Sequence, residues 1–164
     1  MIGDPPFGLE VETRVRARPE TVFAFFTDAA LYRLWHGVDA ELDPRPGGLY
    51  RVRMPSQAVA EGAFLVVEPP HRLVFTWGWV GNLDVPPGST TVEVTFTREA
   101  DETVVRLVHR GLPAEPIRDA HAEGWQHYLA RLTVAATGGD PGPDPLAVAA
   151  ATDRTPSGAQ EVKR

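Results

Sequence analysis

The sequence predicts an α+β domain: a curved antiparallel sheet of about six to seven strands around one long C-terminal helix, with two short helices after the first strand. Three observations carry this. Apolar residues alternate with period two over most of the first 110 residues, as half-buried strands require. That rhythm breaks once, just after the first strand, where the pattern turns helical for two short stretches. It breaks again past residue 113, where a helical stripe runs to about residue 137. Antiparallel strands joined by short turns curl as they twist, and the long helix has only the concave sheet face on which to bury its stripe.

Residues 1–8 read as a loose lead-in containing Pro5, Pro6 and Gly8. In LEVETRVRA (9–17), Leu9, Val11, Thr13, Val15 and Ala17 share one face, and Glu10, Glu12, Arg14 and Arg16 share the other. Pro19 then suits a first helical turn and Glu20 suits the helix dipole. Val22, Phe23, Phe25 and Phe26 form the apolar side of that helix. Thr27-Asp28 interrupts it and caps a second one, AALYRLWH, which stops at Gly37. Trp35, beside His36, is either an exposed dimer contact or a ring packed under the first helix.

The strands follow as VDAEL (38–42), LYRVRM (49–54), AEGAFLVVE (60–68), RLVFTWGWV (72–80), TTVEVTFT (90–97) and TVVRLVHR (103–110). The turn signals between them are Arg45-Pro46-Gly47-Gly48, Pro69-Pro70, a longer loop at 81–89, and Ala100-Asp101-Glu102. Within the last helix, Ile117, His121, Gly124, Trp125, Tyr128, Leu129, Leu132 and Ala135 form the buried stripe. Residues 138–164 are rich in Gly, Pro, Ala and Asp and lack aromatic residues, so the expected organisation is one domain over 1–137 and a flexible tail over 138–164.

Composition narrows the function. The chain of 164 residues carries a formal net charge of −6, which disfavours nucleic-acid and anionic-membrane partners. It has no cysteine, so disulfides, thiolate catalysis and cysteine-based zinc sites are excluded. Neither a membrane-spanning apolar run nor a signal-peptide pattern is present, and the expected location is the cytoplasm. His121 and His127 are six residues apart, on different sides of a helix, so no metal is expected. No G-x-S-x-G, GxGxxG or P-loop occurs, and no cofactor is expected.

Five motifs stand in a recognisable order: RPGGLYRVRM, EGAFLVVEPPHRLVFTW, VTFT, LVHRGLP and HAEGWQHYLARL. Together, over roughly residues 9–137, the chain resembles the bacterial family related to the heat-shock-protein-90 ATPase activator domain, within the START-like (SRPBCC) superfamily. That resemblance implies the helix-grip fold. It also implies a range of roles: co-chaperone domains, binders of small apolar molecules and stress- or resistance-linked proteins, with lipid carriers, polyketide cyclases and hydrolases in the wider superfamily. Fold alone does not choose among them.

A helix laid across a curled sheet often leaves an apolar space with a few polar groups, the usual form of a small-molecule site. By strand parity its candidate lining is Tyr50, Val52, Met54, Leu73, Phe75, Trp77, Trp79, Val92, Val94, Phe96, Leu107, His109, His121, Trp125 and Tyr128. The alternative is that these residues simply pack together, the better reading for the aliphatic ones. His109 and His121 are the only histidines expected to face inward. With Tyr128 they are the acid/base candidates, against the plainer reading of structural histidines bonded to backbone. The expected function is binding of a small hydrophobic molecule. The alternatives are a cyclase- or hydrolase-type enzyme and, less favoured, a chaperone partner. The chain is expected to be a monomer or homodimer.

Overall fold

The computed structural model describes residues 7–144. The elements are β1 (Phe7–Val15), α1 (Pro19–Thr27), α2 (Ala29–Tyr32), β2 (Asp39–Leu42), β3 (Leu49–Arg53), β4 (Val59–Glu68), β5 (Arg72–Trp77), β6 (Thr90–Glu99), β7 (Glu102–Leu112) and α3 (Glu115–Ala135). This is the expected α+β helix-grip architecture, with seven antiparallel strands in the order β1-β7-β6-β5-β4-β3-β2. The first strand closes against the last, so both ends of the sheet-forming chain meet beside α3. Among the described residues no helix is long and apolar enough to cross a membrane.

Alternation sets the two faces. On β6, Val92, Val94 and Phe96 are buried while their neighbours face outward. The outer face carries cross-strand ion pairs: Arg106 with Glu10 at 2.6 Å, and Arg72 and Arg110 on either side of Glu93 at 2.7 and 3.2 Å. They are largely exposed and contribute little stability, but they keep that face wet.

The short helices close the concave side. The Asp28 carboxylate accepts from the N–H groups of Ala30 and Leu31 at 2.9 and 3.2 Å, the expected cap. The second helix is shorter than AALYRLWH. After Tyr32 the chain tightens, with the Leu34 N–H donating to Leu31 and the Trp35 N–H to Tyr32. That tightening turns Trp35 and His36 inward. The dimer-contact reading of Trp35 is thereby corrected: its indole is buried, lies 4.9 Å from the Phe26 ring and donates to the Phe25 carbonyl at 2.9 Å.

The RLVFTWGWV strand is also shorter than expected. It ends at Trp77, whose partner Thr90 is the first residue of β6, so no neighbour remains beyond it on that side. Trp79 keeps only an isolated bridge to Ala60. The loop then folds back, with the Trp79 N–H donating to the Val85 carbonyl at 2.7 Å. Gly78 makes this return possible, because a Cβ there would overlap the Pro86 carbonyl oxygen. Gly62 plays the same part where β4 bends, facing the Thr76 carbonyl. Residues 138–144 lie along α3 rather than leading away from it. Arg131 donates to the Gly142 carbonyl at 3.1 Å, and Asp144 accepts from Tyr128 and His127, both at 2.8 Å. The rest of the expected tail lies outside the described residues.

Replacing Gly78 by alanine forces the loop off the end of β5. The expected cost is about 1–3 kcal/mol of stability. Urea unfolding checks this, with an unchanged m-value and a lowered midpoint expected.

Candidate functional site

Where β3 and β5 run out, the concave face does not fill. A cavity of about 200 Å³ remains between the sheet end and α3, lined by His36, Met54, Trp77, Trp79, Ala120, His121, Gly124, Trp125 and Tyr128. A second hollow of about 220 Å³ shares Met54, Trp79 and Tyr128 with it. Of the residues expected to line a site, Met54, Trp77, Trp79, His121, Trp125 and Tyr128 are in this wall.

Tyr50, Val52, Phe75, Phe96 and His109 are not in the wall. They face inward as parity requires, yet lie further back along the strands or behind other rings. Tyr50 stacks on Phe75 at 4.1 Å, and Phe96 meets Phe23 and Phe26 edge-on, both at 5.2 Å. Leu73, Val92, Val94 and Leu107 are likewise in the packed core.

His109 is buried behind Trp125. Its Nδ1 accepts from the Trp125 Nε1–H at 3.1 Å. Its Nε2 lies 2.8 Å from Thr90 Oγ1, whose own hydrogen goes to the Trp77 carbonyl, also at 2.8 Å. The proton must therefore sit on Nε2, and both nitrogens are engaged. His121 is arranged with the opposite tautomer. Its Nδ1–H donates to the Ile117 carbonyl at 2.8 Å, and its Nε2 accepts from the Trp79 Nε1–H at 3.1 Å. The Tyr128 hydroxyl donates to Asp144.

His36 is the histidine that sequence reasoning missed. It is 2 % exposed, so the expectation of only two inward histidines is corrected to three. Its polarity and its place at a helix end read as solvent-facing. The one available signal was its position four residues after Tyr32, in a stretch with Trp35. Its Nδ1 lies 2.7 Å from the Tyr32 hydroxyl, which bonds in turn to the Tyr50 hydroxyl. Gly124 is a second feature whose weight the sequence hid. It stands mid-helix in the cavity wall, and nothing lies within 4 Å of where a Cβ would be.

One buried side-chain donor, Trp77 Nε1–H, has no partner among the described residues. An unmet buried donor costs about 1–3 kcal/mol. No group of three or more metal-ligating side chains occurs among the described residues.

Burial holds both His36 and His109 down at about 3 and lowers His121 as well. Tyr128 is raised, by burial first and then by the Asp144 carboxylate. For the histidines the unfolded chain binds protons that the folded chain refuses. Stability is therefore full above about pH 6.5 and falls as pH drops toward 3, by about 1.4 kcal/mol per pH unit for each of His36 and His109. Chemical denaturation between pH 7.5 and 4.5 reads this directly. A flat profile across that range would show that the two imidazoles are not held neutral.

The family model described as Activator of Hsp90 ATPase homolog 1-like protein matches residues 16–137. No curated protein matches by sequence. Among solved structures, the solution structure of an AHSA1-like protein from Rhizobium etli is 44% identical, covering 88% of this chain and 92% of that one, with a TM-score of 0.68. An Hsp90 activator from Plasmodium falciparum is 27% identical over 78% of this chain and 94% of its own, with a TM-score of 0.65. A protein in the dynemicin biosynthetic locus is 25% identical over 85% of this chain and 51% of its own, with a TM-score of 0.72. With its sheet, its grip helix and the match over residues 16–137, this chain belongs to the Activator of Hsp90 ATPase homolog 1-like family.

Proposed function

We propose that this protein binds a small apolar or aromatic molecule in the cavity between β5 and α3, as a carrier or sequestering module. Gly124 carries this reading. Glycine inside a helix costs about 1 kcal/mol relative to alanine. At this position it faces no crowding neighbour, only the cavity. A core that served packing alone would favour a side chain there.

Size restricts the ligand. A cavity of about 150 Å³ lined by aliphatic and aromatic side chains accepts benzene. A volume of about 200 Å³ suits one ring or a compact fused pair. Trp77, Trp79, Trp125 and Tyr128 offer ring faces and edges to such a molecule.

Binding without turnover fits the polar groups. The hydrogen bonds of His109, His121 and Tyr128 all run to protein partners, so none is free to move a proton on a ligand. A second reading rests on the similarity to the Plasmodium falciparum Hsp90 activator, and makes the chain a regulator of a heat-shock ATPase. Stimulation of that ATPase by the added protein separates the two.

The direct test is a thermal-shift screen against one- and two-ring compounds, with tryptophan fluorescence as second readout. A ligand at one hundred times its dissociation constant stabilises the fold by about 2.7 kcal/mol. Gly124→Leu fills the space while removing a poor helix former. It is expected to keep or raise the melting temperature and to abolish the ligand shift. Undiminished binding by this variant would place the ligand elsewhere.

A further inference from the structure

Among the described residues, three hollows lie beside the cavity, and Trp79 is in the wall of each. One of about 220 Å³ lies toward Met54 and Pro55, one of about 320 Å³ toward Asp84 and Ile117, and one of about 340 Å³ at Ala58 and Val80. No other residue is common to these three and the cavity. Their order along α3 shows how two of the spaces meet. The 320 Å³ hollow takes Pro116, Ile117, Ala120 and His121, and the cavity takes Ala120, His121, Gly124, Trp125 and Tyr128. They overlap at Ala120 and His121. His121 is also where the Trp79 indole reaches the helix, through its Nε1–H at 3.1 Å and a ring contact at 6.1 Å. The indole therefore runs from the loop to α3 at the boundary between the two spaces.

The backbone at residue 79 is held without that indole. Its N–H donates to the Val85 carbonyl at 2.7 Å, its carbonyl accepts from the Asn82 N–H at 3.1 Å, and it bridges to Ala60. The Asn82 side-chain oxygen ties the loop further, accepting from the N–H groups of Asp84 and Val85 at 2.8 and 2.9 Å. These bonds fix where the side chain starts, and its length decides how far it crosses. A shorter side chain on the same backbone leaves the boundary to the Ala120 methyl and the His121 ring. Beyond that boundary, Val85, Pro116 and Ile117 supply apolar surface for a further ring.

We propose that Trp79 sets the length of the ligand: its indole closes the cavity off from the hollow at Ile117, so the protein takes a one- or two-ring compound and discriminates against the same compound lengthened by a further aromatic ring. This rests on the binding reading above and assigns its specificity to one side chain. A longer ligand must push the indole aside, which breaks the bond to His121 and the edge-on contact with Trp77 at 5.2 Å. The His121 Nε2 then loses its donor in a part-buried site, a cost the shorter ligand does not incur. With a short aliphatic side chain at residue 79 those contacts are absent before any ligand arrives, and lengthening the ligand breaks nothing further.

The experiment compares 2-naphthol with 6-phenyl-2-naphthol, the same fused pair with and without an added ring along its long axis. Dissociation constants come from the fluorescence of the naphthol, in the wild-type protein and in Trp79→Ala and Trp79→Leu. The wild-type protein is expected to bind the shorter compound at least about tenfold tighter. Both variants are expected to abolish or reverse that preference by binding the longer compound more tightly than the wild-type protein does. The ratio of the two constants is the readout, because a merely structural role for Trp79 would weaken both compounds alike. Trp79→Leu keeps apolar bulk beside Trp77 and supplies the answer if Trp79→Ala does not fold. Equal affinities in the wild-type protein, or a preference that survives in a folded variant, overturn the partition and leave the cavity reading standing. Loss of both compounds from a folded variant also overturns it, since Trp79 would then be part of the grip on any ligand. Failure of the wild-type protein to bind either compound removes the cavity reading, and this inference with it.

Discussion

The indole of Trp77 lies within ring contact of six other aromatic or imidazole side chains: His36, Tyr50, Trp79, His109, His121 and Trp125. They come from the turn after α2, from β3, from the 78–89 loop, from β7 and from α3. A single side chain at the end of β5 is thus where the plug, the sheet and the grip helix meet. Such contacts are individually worth about 0.5–1.5 kcal/mol beyond area burial. Their number matters less than their directions, because a ring bounded on so many sides has one orientation. The shape of the cavity depends on that orientation, because Trp77 is part of its wall.

Polar groups in this aromatic core fix register. The chain from Trp125 through His109 and Thr90 to the Trp77 carbonyl joins α3, β7, β6 and β5 without using a ladder hydrogen bond. The Tyr50–Tyr32–His36 chain does the same for β3 and the short helix. Sliding any one of these elements by a residue would leave a buried donor or acceptor unmet, at a cost that apolar packing alone does not impose.

Much of the fold was legible because strand parity and helical spacing are local. Val92, Val94 and Phe96 announce their face by alternation, and Trp125, Tyr128, Leu129 and Leu132 announce theirs by spacing along α3. Parity gives a face but not a depth. It could not separate Tyr50 and Phe75, sealed under the aromatic plug, from Met54 and Trp77, which stand where the strands stop. His36 was illegible for a different reason: its burial depends on a tight turn and on partners from other elements. Trp79 followed the alternation of its neighbours, but the end of β6 pairing at Thr90, a long-range fact, took it off the strand. In the cavity wall, what sequence alone could name were the rings. What it missed were the absences, the Cβ that Gly124 lacks and the partner that Trp77 lacks.

Trp79 stands in the wall of the cavity and of the neighbouring hollow, half-buried, on a loop rather than a strand. Its ties to α3 are a hydrogen bond and a ring contact, both to His121. The sheet and the grip helix are held by many cooperative contacts and open only on the slow timescale of unfolding, whereas an indole on a surface loop reorients in nanoseconds to microseconds. In the binding function proposed above, Trp79 is thus the wall ring set apart from the sheet ladder and the grip helix, and a substitution at residue 79 bears on the mouth of the cavity more directly than on the pairing of the strands.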